Sequence, residues 1–179
     1  MKRISLLFLA VAAFSISAYA QDDAAVAKAV LALPANLREM ATVIKWKPDF
    51  TYDTVKKGAN GLVCYDLSGW PKHQPFTVEC TSMANLDRVA QNLKFEAMGD
   101  KTKDALDAAE KDGTRVKPQY GSVWYHFMGA DQEHARMHMT IAVPGATMAS
   151  TGLPEKAGGN SVWIMNAGTS TAHLMTPGE

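Results

Sequence analysis

Residues 122–143 read SVWYHFMGADQEHARMHMTIAV, and this stretch decides the fold that we predict. β-Branched and aromatic residues dominate 122–128, and β-branched and apolar residues dominate 137–143, which favours two strands. Shorter runs of the same kind follow at 161–166 and 171–175, and segments rich in Gly, Pro and Asn separate them. The C-terminal part of the chain therefore predicts a sheet.

The N-terminal half combines a helix with further strands. Residues 22–33 are rich in alanine and other helix formers, whereas 42–46 and 51–56 favour strands. Asn60-Gly61 stands between 51–56 and another such run at 62–65. This dipeptide is typical of a two-residue hairpin, because both central residues of a type I′ turn need a positive φ. We therefore expect those two strands to pair.

Two helices are predicted in the middle of the chain, at 83–98 and 101–111. In the first, apolar residues recur with helical spacing and form one face: Leu86, Val89, Ala90, Leu93 and Ala97. The second is mostly polar, and the spacing of Asp107 and Lys111 favours an ion pair on its surface. Together these elements predict an α+β fold, a mainly antiparallel sheet with helices packed on one face.

Residues 1–20 have the three parts of a secretory signal. They begin with two basic residues, continue with the apolar run 4–14 and end in Ala18-Tyr19-Ala20. The apolar run is about half of the roughly 20 residues that a membrane-spanning helix needs. We therefore predict a cleaved signal peptide, a single mature domain over 21–179, no membrane anchor, and a location in the periplasm or outside the cell.

The charge of the chain argues against one class of partner. The sequence has 18 basic and 18 acidic residues, and loss of the signal peptide removes two basic ones, which leaves 16 against 18 and a net charge of −2. Binding of nucleic acid calls for a basic surface, so we predict no nucleic-acid partner. The same balance gives no electrostatic reason to bind an anionic membrane.

Cys64 and Cys80 are the two cysteines of the chain. In an oxidising compartment, two cysteines that are the only ones in a sequence usually form a disulfide, so we predict one here. The loop between them holds 15 residues (80 − 64 − 1), and a disulfide that closes a loop of this size stabilises a fold by about 3 kcal/mol. The alternatives are a reactive thiol or a thiolate metal ligand, and no C-x-x-C spacing supports either one.

Histidine and methionine recur together in the predicted strands. His126 precedes Met128 by two positions and His173 precedes Met175 by two, and residues two apart on a strand point to the same face. Thioether and imidazole groups are a ligand set suited to copper. With His138, which also has methionine neighbours, the predicted metal ligands are His126, His138, His173 and Met175.

Other interpretations of the same residues stay open. The histidines and methionines can fill a core. His134 and His138 have the i,i+4 spacing of a helical zinc site, although their surroundings favour a strand. The hydroxyl groups of 169–171 precede His173 and could supply a nucleophile with a histidine base. Such a catalytic arrangement is recognised only by its geometry.

Two segments resemble a known family. Residues 57–80 carry a G-x-N-G-x-x-C … P-x-x-x-x-C pattern and residues 162–177 a G-T-x-x-x-H-L-M-x-P terminus, which together resemble a family of small exported bacterial proteins of uncharacterised function. The chain departs from that pattern at Ser170, where proline is expected. The resemblance implies the disulfide and supplies no activity. It directs attention to His138 and His173.

These observations predict an exported protein that binds a small ligand or a metal ion, with copper as the metal that the donor groups suggest. One alternative is a periplasmic enzyme with His138 and His173 as acid–base groups. The other is a structural or interaction protein that has no small-molecule site.

Overall fold

The computed structural model describes residues 23–158 and 161–176, and within them the chain forms one sheet of eight strands. The predicted signal peptide, residues 1–20, lies outside the described residues. The strands are β1 (Thr42–Trp46), β2 (Tyr52–Lys56), β3 (Leu62–Asp66), β4 (Phe76–Ser82), β5 (Val123–Gly129), β6 (Arg136–Ala142), β7 (Trp163–Met165) and β8 (His173–Met175). Their order is β2-β1-β3-β4-β5-β6-β8-β7. All neighbours are antiparallel except β1 and β3, which are parallel.

Helices surround this sheet. They are α1 (23–29), α2 (Ala35–Arg38), α3 (Leu86–Glu96), α4 (Thr102–Asp112) and α5 (Met148–Thr151). The predicted helices at 83–98 and 101–111 are confirmed as α3 and α4, each preceded by a short 3-10 turn. The ion pair on α4 differs from the prediction, because Asp107 contacts Lys103 instead of Lys111. No helix in the described ranges is both long and apolar enough to span a bilayer.

The segment 122–143 forms β5 and β6, which pair with each other at the centre of the sheet. Gly129 is required at the end of β5, because a Cβ atom there would lie 2.7 Å from the Cα of Ala135. β4 pairs with the other side of β5, and its residues are almost all buried. The predicted α+β class with a mainly antiparallel sheet is confirmed.

One face of the sheet, which we call the disulfide face, forms an apolar core. It carries Cys64 and Cys80, which lie directly opposite each other on β3 and β4 and form a disulfide. Val78 and Phe76 pack beside them, and α1 covers this face with Ala29 and neighbouring apolar residues. The sequence predicted helices on one face only, and α1 adds cover on the second.

The opposite face, which we call the cleft face, carries Tyr65 and Glu79 near its centre and lies under α3. The residues Leu86, Val89 and Leu93 of this helix are buried against apolar side chains of β1 and β3. Their i, i+3, i+7 spacing is the stripe that a helix needs to bury one side. The 3-10 turn before this helix begins after Ser82, whose side chain accepts a hydrogen bond from the N–H of Ala84.

The hairpin predicted at Asn60-Gly61 is wrong, because β1 lies between β2 and β3. The chain turns instead from β1 into β2, and the segment after β2 then crosses the start of β1. In that segment the N–H groups of Ala59 and Asn60 both donate to the carbonyl of Met40. Gly58 fits tightly there, since an added Cβ would lie 2.2 Å from that carbonyl oxygen. Asn60-Gly61 therefore lies in a crossover connection from β2 to β3 and not in a hairpin.

Removal of the disulfide should destabilise the protein strongly. We expect Cys64→Ala with Cys80→Ala to lower the free energy of unfolding by about 3 kcal/mol, because the unfolded chain regains the freedom of the closed loop. Urea denaturation of the mature protein measures this change. The wild type in excess dithiothreitol should match the double variant, and a double variant as stable as the oxidised protein would contradict the prediction.

Candidate functional site

A cleft of about 570 Å³ lies between the cleft face, α3 and α4. Side chains of β4, β5 and β6 form its floor, the two helices and the segment 115–118 form its walls, and the loop 166–173 forms its rim. The volume lies within the range of pockets that hold small organic ligands. The polar residues that line it include ionisable side chains from four separate parts of the chain, so the fold, and not a local motif, assembles this site.

The floor holds a buried carboxylate that is paired with a histidine. Glu79 on β4 is 9% exposed, and Nδ1 of His126 donates to its Oε1 at 3.0 Å. Tyr65 from the neighbouring strand lies on the other side, with its hydroxyl 3.5 Å from Oε2. Burial raises the pKa of Glu79, but the charge of His126 and its hydrogen bond outweigh this effect and hold the pKa below its ordinary value.

The register of the sheet explains this pair. Glu79 lies directly opposite Tyr65 on β3 and opposite His126 on β5, so three residues form a row across three strands. Burial, followed by the charge of Glu79, raises the pKa of Tyr65 well above its ordinary value. The tyrosine is therefore a hydrogen-bond donor at neutral pH. Within the described part of the chain, Nε2 of His126 makes no hydrogen bond, and His126 lines the cleft.

A second histidine–carboxylate pair lies at one side of the cleft. Nε2 of His73, in the loop before β4, is 3.0 Å from Oε2 of Glu96 at the end of α3. Burial lowers the pKa of His73, but the hydrogen bond with Glu96 and the charges of Glu79 and Glu96 outweigh it, so the pKa is raised. This pair fastens the loop 71–74 to α3.

Two arginines form part of the wall. Arg88 donates from Nη1 to the carbonyl of Val116 at 2.5 Å. Arg115 donates from its two Nη atoms to Gln91 and Asn92, at 2.6 and 2.5 Å. Burial, followed by the charge of Arg115, lowers the pKa of Arg88 to about 10, and burial also lowers the pKa of Arg115.

The rim is joined to α4 by a carboxylate. Glu110 accepts from the N–H of Ser170 at 2.7 Å and from its hydroxyl at 2.5 Å. These hydrogen bonds, followed at longer range by the charge of Arg88, lower the pKa of Glu110. The loop between β7 and β8 is thereby held against the helix, and it borders the cleft on that side.

The structure brings two of the four predicted metal ligands into direct opposition. His126 and His138 face each other across β5 and β6, and their ring centroids lie 5.9 Å apart in a stacked arrangement. Burial lowers the pKa of His138, and the charges of His126 and His173 lower it further. Met175 lies opposite Thr140, which makes it a diagonal neighbour of His138 on the same face.

His173 lies apart from this group. It is opposite Ala142 on β6, four residues from His138, and at the rise of a strand this offset is roughly 13 Å. The charge of His173 still acts on His138, but within the described residues the three histidines are not grouped around a possible metal ion. Its Nδ1 donates to the carbonyl of Thr171 at 2.8 Å. His173 and His126 both line the cleft, whereas His138 and Met175 are not among the described lining residues.

The other candidate sites have simpler roles. His134 lies in an exposed turn, where its Nδ1 is 2.7 Å from Asp131, whereas His138 lies on β6, so the two do not share a helix. The hydroxyls of Thr169 and Thr171 bond to each other, and His173 bonds a carbonyl and not a hydroxyl. Residues 23–158 and 161–176 contain no group of three or more His, Cys, Asp or Glu side chains placed to hold a metal ion.

Sequence reasoning identified His126 and His173 and missed the charged residues around them. Glu79, Arg88, Arg115 and Glu110 were not singled out. Glu79 had a detectable signal, because it stands between Val78 and Cys80 in a run that otherwise favours a buried strand, and a carboxylate in such a place needs a partner. The two arginines had no such signal, because nothing in the neighbouring sequence distinguishes them from arginines on a solvated surface.

Comparison of the chain with protein-family models, with curated proteins and with solved structures gave no match. The resemblance to a family of small exported proteins therefore stays a prediction. The function must be argued from the geometry of the cleft.

The pair of His73 and Glu96 should make stability depend on pH. Because the pKa of His73 is raised in the fold, the pair stabilises the protein fully below the ordinary value of about 6.5, and this contribution is lost as pH rises through the raised pKa. We expect His73→Gln to lower the free energy of unfolding by on the order of 1 kcal/mol near pH 6, and by less near pH 9.

Urea denaturation at both pH values measures this difference. His134→Gln is the matched control, because His134 also contacts a carboxylate but is exposed, and it should change the free energy of unfolding little at either pH. A loss for His73→Gln that is the same at both pH values would contradict the prediction.

Proposed function

We propose that this protein is exported and binds a small organic molecule in the cleft between the sheet and the helices α3 and α4. The observation that carries the proposal is the cleft itself, about 570 Å³ in volume, with Glu79–His126 on its floor and arginines in its wall. Export is supported by the signal-like residues 1–20 and by the disulfide that joins the two cysteines of the chain.

The lining supports a ligand-binding role and not merely a gap in the packing. Binding sites for small molecules combine apolar walls with a few convergent polar groups. Trp124 and Leu106 supply apolar surface. Nδ1 of His126 is bonded to Glu79, and Nδ1 of His173 donates to a backbone carbonyl. Among the residues that the structure describes, Nε2 of neither imidazole has a partner, so each has one nitrogen available to a ligand.

The proposal is tested by filling the cleft. N-phenyl-1-naphthylamine is an uncharged probe whose fluorescence rises in an apolar site, and we expect it to bind the wild type saturably, with a micromolar dissociation constant. Leu106→Trp places a larger side chain at the lining position of α4 and should weaken binding about tenfold or more. Fluorescence titration measures both constants.

The matched control is Ala108→Trp, which adds the same side chain to an exposed position of the same helix and should leave the affinity unchanged. Thermal unfolding of both variants confirms that they are folded. Failure of the probe to bind the wild type, or equal affinity in the Leu106→Trp variant, would overturn the proposal.

Copper binding is the second candidate, and the direct opposition of His126 and His138 favours it. With the diagonal Met175 they would supply two imidazoles and one thioether, a set suited to Cu(I). The hydrogen bond from Nδ1 of His126 to Glu79 is of the kind that orients imidazole ligands. His173 is omitted from this set because of its offset along β6.

A competition titration with Cu(I) tests this second candidate. We expect submicromolar affinity in the wild type and a loss of about tenfold or more in His138→Ala. His173→Ala is the control and should keep the wild-type affinity. An affinity weaker than micromolar, or equal losses in the two variants, would rule out this ligand set.

A further inference from the structure

We propose that the molecule bound in the cleft is an organic anion, and that the side chain of Arg88 binds its charged group. This inference rests on the proposed function, because it assigns the chemical class of the ligand to the same cleft. It is carried by the hydrogen bonds and burial of the two arginines and by the pairing of the acidic groups around them.

Arg88 is a buried cation without a contacting carboxylate. It is 6% exposed and lines the cleft, and within the described residues its hydrogen bond goes to the neutral carbonyl of Val116. Its Nε and Nη2 atoms have no partner there. The fully buried polar atoms that lack a partner belong to other residues, Trp46 and Arg115. The free donors of Arg88 are therefore not fully enclosed by protein, and the residue borders the cleft.

A second cation close by increases the positive charge at this wall. Arg115 is 7% exposed, and both of its Nη atoms contact the neutral amide oxygens of Gln91 and Asn92. The charge of Glu110 acts on both arginines, but neither forms a contact of 4.0 Å or less with it among the described ion pairs. The charge of Glu96 also acts on Arg115. Both carboxylates are already engaged, because Ser170 donates to the two oxygens of Glu110 and Glu96 contacts His73.

The other acidic groups around the cleft already have partners within the fold. Glu79 accepts from His126, Glu96 contacts His73, and Asp107 contacts Lys103. Burial of a charge is costly unless it is paired, and each of these carboxylates satisfies that requirement within the fold. Arg88 does not, and a planar guanidinium with free donors matches a carboxylate or a sulfonate.

The rest of the lining favours an organic anion over an inorganic one. Apolar side chains occupy much of the wall and floor: Val89, Leu93, Phe95, Leu106, Pro118 and Trp124. An inorganic phosphate or sulfate would leave this surface uncovered. An aromatic or aliphatic body with one charged group would contact the apolar wall while its charge meets Arg88.

The test compares two probes that share the same rings. 8-Anilinonaphthalene-1-sulfonate carries a sulfonate that N-phenyl-1-naphthylamine lacks. We expect the sulfonate to bind the wild type about tenfold more tightly than the uncharged probe, and Arg88→Met to bring the two affinities together. Arg136→Met, at an exposed position of β6, is the control and should retain the preference.

A competition experiment on the wild type needs no variant that must fold. Benzoate should displace the bound uncharged probe, and benzamide, which has the same shape without the charge, should do so about tenfold more weakly.

Equal competition by benzoate and benzamide, or a sulfonate affinity that Arg88→Met leaves unchanged, would overturn the assignment of an anion. The proposed function would then stand, provided that the uncharged probe still binds in the cleft. If neither probe binds, or if Leu106→Trp has no effect on either, the proposed function fails together with this inference.

Discussion

The buried carboxylate of Glu79 is the constraint on which the rest of the structure depends. It lies in β4, where nearly every other residue is buried, and an ionised group in such a place is stable only if its neighbours supply charge and hydrogen bonds. The neighbours are Tyr65 on β3 and His126 on β5. A shift of either strand by one residue would turn these side chains to the disulfide face. The pair of Glu79 and His126 therefore favours a single register for three central strands.

Because side chains alternate along the strands, one face of the sheet carries the apolar core and the opposite face carries the ionisable groups of the cleft. On β3 and β4 most positions that face α1 are apolar or joined by the disulfide, and those between them face the cleft. Asp66, at the end of β3, instead forms an ion pair with Lys28 of α1. The disulfide between Cys64 and Cys80 thus lies directly behind the row that contains Glu79. Because the apolar core and the disulfide hold β3 and β4 together from one side, the other side can carry ionisable groups that a small core would not tolerate.

Much of the fold follows from local patterns, and the departures have long-range causes. Periodicity or composition is enough to predict the strands around His126 and His138, the helix with Leu93 and the disulfide. The hairpin at Asn60-Gly61 was wrong because Met40, some twenty residues earlier in the chain, binds the N–H groups of that segment. A turn dipeptide reports the local backbone preference. It carries no information about which strand occupies the neighbouring position in the sheet.

The candidate site, like the fold, was predicted only in part from the sequence. His126 and His173 were found because histidine is conspicuous in any strand, but their partners depend on tertiary contacts. Only the strand order shows that His138 faces His126 and that His173 lies four residues away along β6. The role of Arg88 is still less local, since an arginine on an amphipathic helix is ordinarily solvated. It is the segment at Val116, folded back over α3, that buries this side chain.

The pairing of charges would also prepare the cleft for the small molecule that we propose it binds. His73, His126 and Glu110 are each held by a partner within the fold, so their positions are set before a ligand arrives. Binding then costs little ordering of these side chains, which favours affinity in a site of modest size. The rim is different, because the loop that contains Ser170 is joined to α4 through the Glu110 carboxylate and borders the cleft. A ligand that competed for that carboxylate would loosen the rim, whereas an anion bound at Arg88 would leave these hydrogen bonds in place. This difference favours the anion that we propose over a cation at this wall.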